Sequence, residues 1–137
     1  MNDRVFLDTN IFVYLYSEDE PEKQSIAFAV FEQFHCLTST QVINEFCSVC
    51  LRKLAMPAID VSQSIREIIE NCELCYIDMD TIQNALTLKD KYGYTYYDCL
   101  VLASANLNGC KIIYSEDMQH NQLIEGKLKI INPFRLQ

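Results

Sequence analysis

The sequence predicts a protein of the α/β class: a three-layer α/β/α sandwich around a central parallel sheet of about four or five strands. Short apolar runs of strand length alternate with longer segments whose apolar residues recur every three to four positions. Strands separated by helices favour parallel pairing, because a parallel pair needs a long crossover connection. The 137 residues are 50% hydrophobic and include three Gly and three Pro, with no repeat or linker, which predicts a single domain over residues 1–137.

The first half of the chain predicts two strands, each followed by two helices. The strands are the short β-rich runs Arg4–Leu7 and Cys36–Thr38. The helices are indicated by apolar residues at helical spacing, by one proline suited to a first turn and by another that stops a helix. They are expected at Asn10–Tyr16, from Pro21 through Phe34, at Thr40–Leu54 before Pro57, and around Ile65–Cys72.

The second half of the chain predicts three further strands and two consecutive helices. The helices are expected from Ile82 through Lys89 and at Tyr96–Leu107, and the glycines that follow, Gly93 and Gly109, can end them. The remaining strands are short and apolar, and they are expected near Leu74–Ile77, at Lys111–Tyr114 and at Leu128–Ile131.

The composition excludes several classes of protein. The net charge of −8, from 19 Asp and Glu against 11 Lys and Arg, argues against a basic-patch nucleic-acid binder, although not against a nuclease whose acids are neutralised by metal ions. No apolar run approaches the roughly 18–20 residues of a membrane-spanning helix, and acids interrupt the N-terminal segment where a signal peptide would be apolar. Seven cysteines, an odd number, are expected to be free thiols in a reducing cytosol. We therefore expect a cytoplasmic protein that does not bind membranes.

Four acidic residues fall where the predicted sheet would gather them. Asp8 closes the first strand, Glu45 lies early in the helix after the second, and Asp117 follows the fourth. The carboxyl ends of parallel strands share one edge of a sheet, where α/β proteins bind ligands. Asp98 lies in the first turn of the last predicted helix, and the helix before it can return the chain to this edge without being required to do so.

Each acid taken alone also has a structural explanation. Asp8 and Asp98 suit the cap or first turn of a helix, where a cap contributes about 1 kcal/mol, and Glu45 and Asp117 suit a solvated surface. Two carboxylates 4 Å apart would repel by about 4 kcal/mol at an effective dielectric constant near 20. Four of them at one edge would therefore need a cation among them, and oxygen ligands suit Mg²⁺ or Mn²⁺.

The four acids lie within short motifs: Phe6-Leu7-Asp8-Thr9-Asn10, Thr40-Gln41-Val42-Ile43-Asn44-Glu45, Tyr96-Tyr97-Asp98 and Ser115-Glu116-Asp117. The order and spacing of these motifs resemble those of the PIN-domain ribonucleases and, within them, the VapC-type toxins of toxin–antitoxin modules. The resemblance covers residues 6–117. It implies a PIN-like fold, cleavage of RNA with a divalent metal ion, a homodimer, and a cognate antitoxin protein that blocks the site.

Carried over residue by residue, the resemblance implies one set of catalytic residues that also bind Mg²⁺ (or Mn²⁺): Asp8, Glu45, Asp98 and Asp117. Thr9 or Asn10 would orient the first acid, and Ser115 would support the last through its hydroxyl group. Asp117 is the match because the family pattern is a hydroxyl residue, any residue, then Asp. The role of Glu116 stays open.

Two other interpretations remain open at this point. One is structural zinc, since Cys47/Cys50 and Cys72/Cys75 form two C-x₂-C pairs at close to zinc-ribbon spacing, although no nearby glycine supplies the tight turns. The other is a PIN-like module that binds RNA or a partner without cutting it. The sequence also leaves unranked the cations that could hold phosphate, which are Arg4, Arg52, Lys53, Lys89, Lys91 and Lys111.

Overall fold

A computed structural model describes residues 3–135, so the predicted domain bounds of 1–137 extend two residues beyond the described part at each end. Within this part the strands are β1 (Arg4–Leu7), β2 (His35–Ser39), β3 (Glu73–Cys75), β4 (Ile112–Tyr114), β5 (Leu123–Ile124) and β6 (Leu128–Ile131). They form one sheet in the order β3-β2-β1-β4-β6-β5, and every neighbouring pair is parallel except β5 with β6.

The helices of residues 3–135 are α1 (Thr9–Tyr16), α2 (Pro21–Gln33), α3 (Thr40–Arg52), α4 (Ala58–Asn71), α5 (Met79–Tyr92) and α6 (Tyr96–Leu107), followed by a 3₁₀ turn at Pro133–Arg135. Local chemistry explains their ends. The Ser39 hydroxyl accepts from the backbone N–H of Val42 at the start of α3, and Gly93 ends α5 at a φ of 76°, which glycine adopts without strain. None of these helices is long and apolar enough to cross a membrane.

The helices cover both faces of the sheet. α1 contacts α2 and α3, α3 contacts α4, and α5 packs along α6. The crossovers from β1 to β2 and from β2 to β3 move in one direction across the sheet, and the crossover from β3 to β4 moves back. Because parallel crossovers are right-handed, α1–α4 lie on one face and α5 and α6 on the other. The predicted α/β fold, with its mostly parallel central sheet, is confirmed.

The sequence prediction missed one strand and shifted another. β5 is only two residues long and pairs antiparallel to β6 at the sheet edge, so it carries too few residues to show a pattern. β3 begins at Glu73 and ends at Cys75 rather than covering Leu74–Ile77. The chain leaves the sheet after Cys75, and the N–H of Ile77 donates to the Thr40 hydroxyl instead of to a strand.

The core is densest in the central strand and in α6. Val5, Phe6 and Leu7 of β1 are completely buried because the strand has a neighbour on each side and helices on both faces. In α6 the eight residues 99–106 are all buried, which is the pattern of a helix enclosed on every side. From Cys99 onwards α6 is therefore enclosed by the rest of the fold, directly after its first turn.

The strand order reverses between β1 and β4, which are neighbours at the centre of the sheet. The chain leaves β1 towards β2 on one side, and leaves β4 towards β6 on the other. The backbone N–H of Asp8 donates to the carbonyl oxygen of Tyr114 at 3.1 Å and ties the two strand ends together. A crevice beyond the carboxyl ends of the strands is expected at such a reversal.

Candidate functional site

A cavity of about 250 Å³ opens beyond the carboxyl ends of β1 and β4. Its lining residues come from four separate segments and include all four of the acids identified from the sequence; they are Asp8, Thr9, Asn10, Glu45, Ser48, Val49, Arg52, Asp98 and Asp117. Two larger surface grooves, of about 710 and 480 Å³, contain none of the four. The topology therefore brings together carboxylates that lie up to 109 residues apart in the sequence, since 117 − 8 = 109.

Asp8 is the most buried of the four acids and is the N-cap of α1. One carboxylate oxygen accepts from the N–H of Thr9 at 2.7 Å, and the other accepts from the Ser115 hydroxyl at 2.8 Å. Burial raises the pKa of Asp8 to about 6, the two hydrogen bonds oppose that shift, and the charges of Glu45 and Asp98 add to it. An ionised Asp8 at this position therefore lowers the stability of the fold, as is common for the ionisable residues of functional sites.

Glu45 projects from α3 and is half-buried. The Thr9 hydroxyl donates to Glu45 Oε2 at 2.8 Å, and the Gln41 amide donates to Oε1 at 3.1 Å. Thr9 therefore contacts two of the acids at once, Asp8 through its backbone and Glu45 through its side chain. Because α3 starts where β2 ends, its first turns reach the same edge of the sheet as Asp8.

Asp98 lies in the first turn of α6, where Thr95 caps the helix by accepting from the Asp98 N–H. Burial raises the pKa of Asp98, the hydrogen bond with Thr95 opposes the shift, and the charges of Asp117 and Glu45 add to it. The predicted topology allowed Asp98 to lie near the other three acids but did not require it. Asp98 lines the cavity because α5 returns the chain to the carboxyl edge before α6 begins.

Asp117 is the most exposed of the four and follows β4. Its Oδ2 accepts from the Asn10 amide at 2.9 Å. Two of the predicted supporting residues therefore bond a different acid from the one expected. Ser115 bonds Asp8 rather than the last acid, and Asn10 bonds Asp117 rather than the first. Ser115 and Asn10 each bond the acid of the other segment because β1 and β4 lie side by side, so the residues that follow one strand lie next to those that follow the other.

Glu116, whose role the sequence left open, lies outside the cavity lining. It accepts from the Tyr14 hydroxyl at 2.6 Å and forms an ion pair of 2.6 Å with Lys23. The Lys23 ammonium group also lies 4.9 Å from the centre of the Tyr14 ring, within cation–π range. These contacts attach the loop that carries Asp117 to α1 and α2.

Replacement of Lys23 by methionine should lower the free energy of unfolding by about 1–2 kcal/mol, because it leaves the partly buried Glu116 carboxylate without its charged donor. Lys91→Met is the matched control, since Lys91 pairs with Glu125 at a more exposed position, and it should change stability little. Urea titration of both variants compares the two losses. A midpoint of Lys23→Met equal to that of the wild type would mean that the Glu116 contacts do not stabilise the fold.

The cavity residues that the sequence prediction missed or left unranked share one face of α3. Ser48 and Val49, which were missed, and Arg52, which was one of six unranked cations, lie three, four and seven positions after Glu45 and line the cavity with it. The Arg52 Nε donates to the Ser48 hydroxyl at 3.0 Å. The helical spacing from Glu45 is a signal that could have identified them, once the glutamate was assigned to the site.

The donor set suits a hard divalent cation. All four acids supply carboxylate oxygens, the ligand type preferred by Mg²⁺ and Mn²⁺, and their mutual repulsion would be relieved by positive charge. Within residues 3–135, however, no group of three or more His, Cys, Asp or Glu side chains is close enough as placed to hold an ion. Several carboxylate oxygens are occupied by protein donors such as Thr9, Asn10 and Ser115. The residues fit such an ion by chemistry and charge.

The paired cysteines are far less suited to zinc. Cys47 and Cys50 lie within α3, whereas Cys72 directly precedes β3 and Cys75 is its last residue. Burial raises the pKa of the Cys50 thiol to about 11, and it also raises the pKa of Cys47 and Cys75. Within residues 3–135 the thiols also form no group of three or more metal-binding side chains that could hold an ion. The cysteine side chains therefore serve as small core residues.

Comparison with known proteins agrees with this fold. The PIN-domain family model matches residues 5–124. The chain resembles Mycobacterium tuberculosis VapC20, described as a sarcin-ricin loop cleaving toxin, with a TM-score of 0.68 and 17% identity over 82% of this chain and 89% of that one. A toxin–antitoxin complex from Klebsiella pneumoniae has a TM-score of 0.71 and 18% sequence identity, over 94% of this chain and 97% of that one. A DNA-bound VapBC from Salmonella typhimurium has a TM-score of 0.64 and 15% sequence identity, over 93% of this chain and 98% of that one. No curated protein matches the sequence.

Proposed function

This chain belongs to the PIN-domain family, and from that premise we propose that it is a divalent-metal-dependent ribonuclease and the toxin of a toxin–antitoxin pair. The observation that carries the proposal is the convergence of four carboxylates, from four separate segments, on one cavity at the centre of the sheet edge. Their repulsion destabilises the fold unless a cation is present. An arrangement that costs stability and serves no packing purpose is best explained by chemistry.

In this proposal Asp8, Glu45, Asp98 and Asp117 hold Mg²⁺ or Mn²⁺. The ion supplies a water nucleophile of lowered pKa and charge stabilisation for phosphodiester hydrolysis. Asp8 is the fixed point of the site, because the Thr9 N–H and the Ser115 hydroxyl hold both of its oxygens. The Thr9 hydroxyl and the Asn10 amide orient two other acids, Glu45 and Asp117.

RNA as the substrate follows from the family resemblance and is compatible with the charge of the chain. The net charge is −8, and two bound divalent ions would bring it to −8 + 4 = −4. Long-range attraction for a polyanion is therefore absent, and affinity for phosphate has to come from the ions and from nearby cations. A nuclease of this kind would bind RNA weakly without its metal.

Brief expression of the protein, followed by sequencing of new RNA 5′ ends, is the experiment that tests the function. We expect discrete cleavage sites, reproduced by purified protein with Mg²⁺ or Mn²⁺ and abolished by EDTA. A DNA oligonucleotide of the same sequence as a cleaved RNA measures the preference for RNA. Purified protein that leaves total RNA intact with both ions would overturn the proposal.

The alternative function is a PIN-like module that binds RNA or a protein without cutting. The observation in its favour is that the carboxylates, as placed within residues 3–135, do not yet form a shared ion site. The two functions differ in one measurement, since a binding module would retain RNA in a filter assay with Mg²⁺ while releasing no shorter products.

The partner we propose is a cognate antitoxin, supported by the description of the similar Klebsiella pneumoniae structure as a toxin–antitoxin complex. We also propose a homodimer, supported by apolar side chains left in solvent, since Phe28 is 52% and Leu51 46% exposed. Sedimentation at micromolar concentration should give twice the mass of one chain, 15.9 kDa. A mass equal to one chain would exclude the homodimer.

A further inference from the structure

One face of α3 lines the cavity and carries both Glu45, which we propose as a metal ligand, and the cationic residue Arg52. Glu45, Ser48, Val49 and Arg52 occur at positions i, i+3, i+4 and i+7, which form one stripe along a helix. With a rise of about 1.5 Å per residue, Arg52 lies about 10 Å along the helix axis from Glu45. Arg52 is the single basic residue among those that line the cavity in the described part of the chain.

The other cations named from the sequence are engaged elsewhere or lie off the cavity. Arg4 pairs with Glu73 at 3.3 Å, and Lys91 pairs with Glu125 at 2.9 Å. Lys53, Lys89 and Lys111 are exposed and are not part of the lining. Across residues 3–135, Arg52 has no carboxylate partner within ion-pair distance, so its charge is available to a ligand.

The contact between Arg52 and Ser48 directs the guanidinium group. Ser48 accepts from Nε at 3.0 Å, and this leaves the two terminal nitrogens to donate to a ligand. A guanidinium group held by one edge presents a planar pair of donors, which matches two oxygens of a phosphate. Both residues line the cavity together with Glu45, so a strand that runs from the acids along α3 would contact Arg52.

We propose that Arg52, held by Ser48, binds the non-bridging oxygens of a phosphate that flanks the scissile bond of the RNA strand. This inference rests on the proposed function and adds the residue that holds the substrate. Because Ser48 holds the guanidinium group about one helical turn, or roughly 5 Å along the axis, from Glu45, we assign Arg52 to a neighbouring phosphate rather than to the one being cleaved. A cation at this position offsets the repulsion between the four acids and the incoming polyanion.

The test compares Arg52→Gln with Lys53→Gln, which removes the same charge from the next residue of the chain, outside the cavity lining. With an RNA oligonucleotide that the wild type cleaves, we expect Arg52→Gln to raise KM about 10-fold with kcat changed less than about threefold. Lys53→Gln should change either constant less than twofold. Arg52→Lys should recover part of the loss, because it restores the charge without the planar pair of donors.

The second readout is the salt dependence of binding, measured by fluorescence anisotropy with a labelled single-stranded RNA and Mg²⁺ in an Asp8→Asn background. The slope of log K against log salt should become shallower by about 0.7 on adding Arg52→Gln, the value for one lost phosphate contact on a single strand, and stay unchanged on adding Lys53→Gln. Thermal unfolding confirms that each variant is folded.

The outcomes separate the two proposals. A wild type that cleaves, combined with equal KM values and equal salt slopes for Arg52→Gln and Lys53→Gln, overturns the role of Arg52 and leaves the nuclease intact. A loss of kcat in Arg52→Gln without a change in KM or salt slope also overturns it. A wild type that neither cleaves nor binds RNA removes both the proposed function and this inference.

Discussion

Asp8→Asn is expected to reduce RNA cleavage by about 100-fold or more while making the metal-free protein more stable. Loss of even an outer contact of a metal ligand costs 10- to 100-fold in metal affinity or activity, and Asp8 would be a ligand itself. Asparagine keeps the shape of the side chain and remains a good N-cap, so it can still accept from the Thr9 N–H. It removes a negative charge that burial disfavours.

The gain in stability follows from the pKa of Asp8. A pKa of about 6 in the fold, against 3.8 for an ordinary Asp, means that the carboxylate present above pH 6 is less stable in the folded protein than in the unfolded chain. At about 1.4 kcal/mol per pH unit, the neutral asparagine should raise the free energy of unfolding at pH 7 by about 1–3 kcal/mol. Cleavage of RNA in the presence of Mg²⁺ and urea unfolding in EDTA measure the two effects on the same protein.

Asp78→Asn is the matched control for this prediction. Asp78 is also an N-cap, and it accepts from both the N–H and the hydroxyl of Thr81, but it lies exposed at the start of α5. These hydrogen bonds lower the pKa of Asp78, so the substitution should not raise stability, and cleavage should be unchanged. Full activity in Asp8→Asn, or equal loss in both variants, would remove the role assigned to the buried acid.

The sequence predicted the elements whose signals are local. Thr95 and Asp98 marked the start of α6, whose bounds were predicted exactly, because a cap and an apolar run act within a few residues. Asp8, Glu45 and Asp117 could be placed at one edge of the sheet because parallel strands end together, whereas Asp98 could not, because its position depends on the path of α5. β5 was missed because two residues at the sheet edge carry no periodicity.

The partners of the side chains could not be predicted in the same way. Which acid Ser115 and Asn10 would bond depends on β1 and β4 being neighbours and on the register between them, Leu7 opposite Tyr114. That register is decided by packing across the whole sheet. From the sequence alone, Arg52 could not be distinguished from the five other candidate cations. The structure shows that the face of α3 that carries Glu45 also carries Arg52 and lines the cavity.

Divalent ions should reverse the pH dependence of stability near neutral pH. In metal-free protein a carboxyl group whose pKa is raised in the fold favours folding most below its unfolded pKa, and this contribution falls as pH rises through the folded pKa. For Asp8 the change runs from about pH 4 to about pH 6, and Asp98 acts in the same direction. From Asp8 alone, the free energy of unfolding should fall by about 1 kcal/mol between pH 5 and pH 7.5.

Acids with the opposite shift do not mask this change. Hydrogen bonds and ion pairs lower the pKa of Glu73, Asp78 and Glu125. A lowered pKa adds stability as pH rises towards the unfolded value, which for these residue types is about 4, so the gain is complete before pH 5. The difference between the wild type and Asp8→Asn over pH 5–7.5 therefore isolates the buried acid.

Mg²⁺ or Mn²⁺ should stabilise the wild type most where the carboxylates are ionised, above pH 6. At an ion concentration 100 times the dissociation constant the gain is about 2.7 kcal/mol, which exceeds the expected fall, so stability should rise with pH instead. Asp8→Asn should gain much less, because one ligand is missing and the remaining three acids repel each other less. Thermal unfolding of both proteins at pH 5 and 7.5, with ion and with EDTA, gives the comparison. If the ion raises the unfolding temperature of both by the same amount at pH 7.5, it binds elsewhere, and the four acids are not its site.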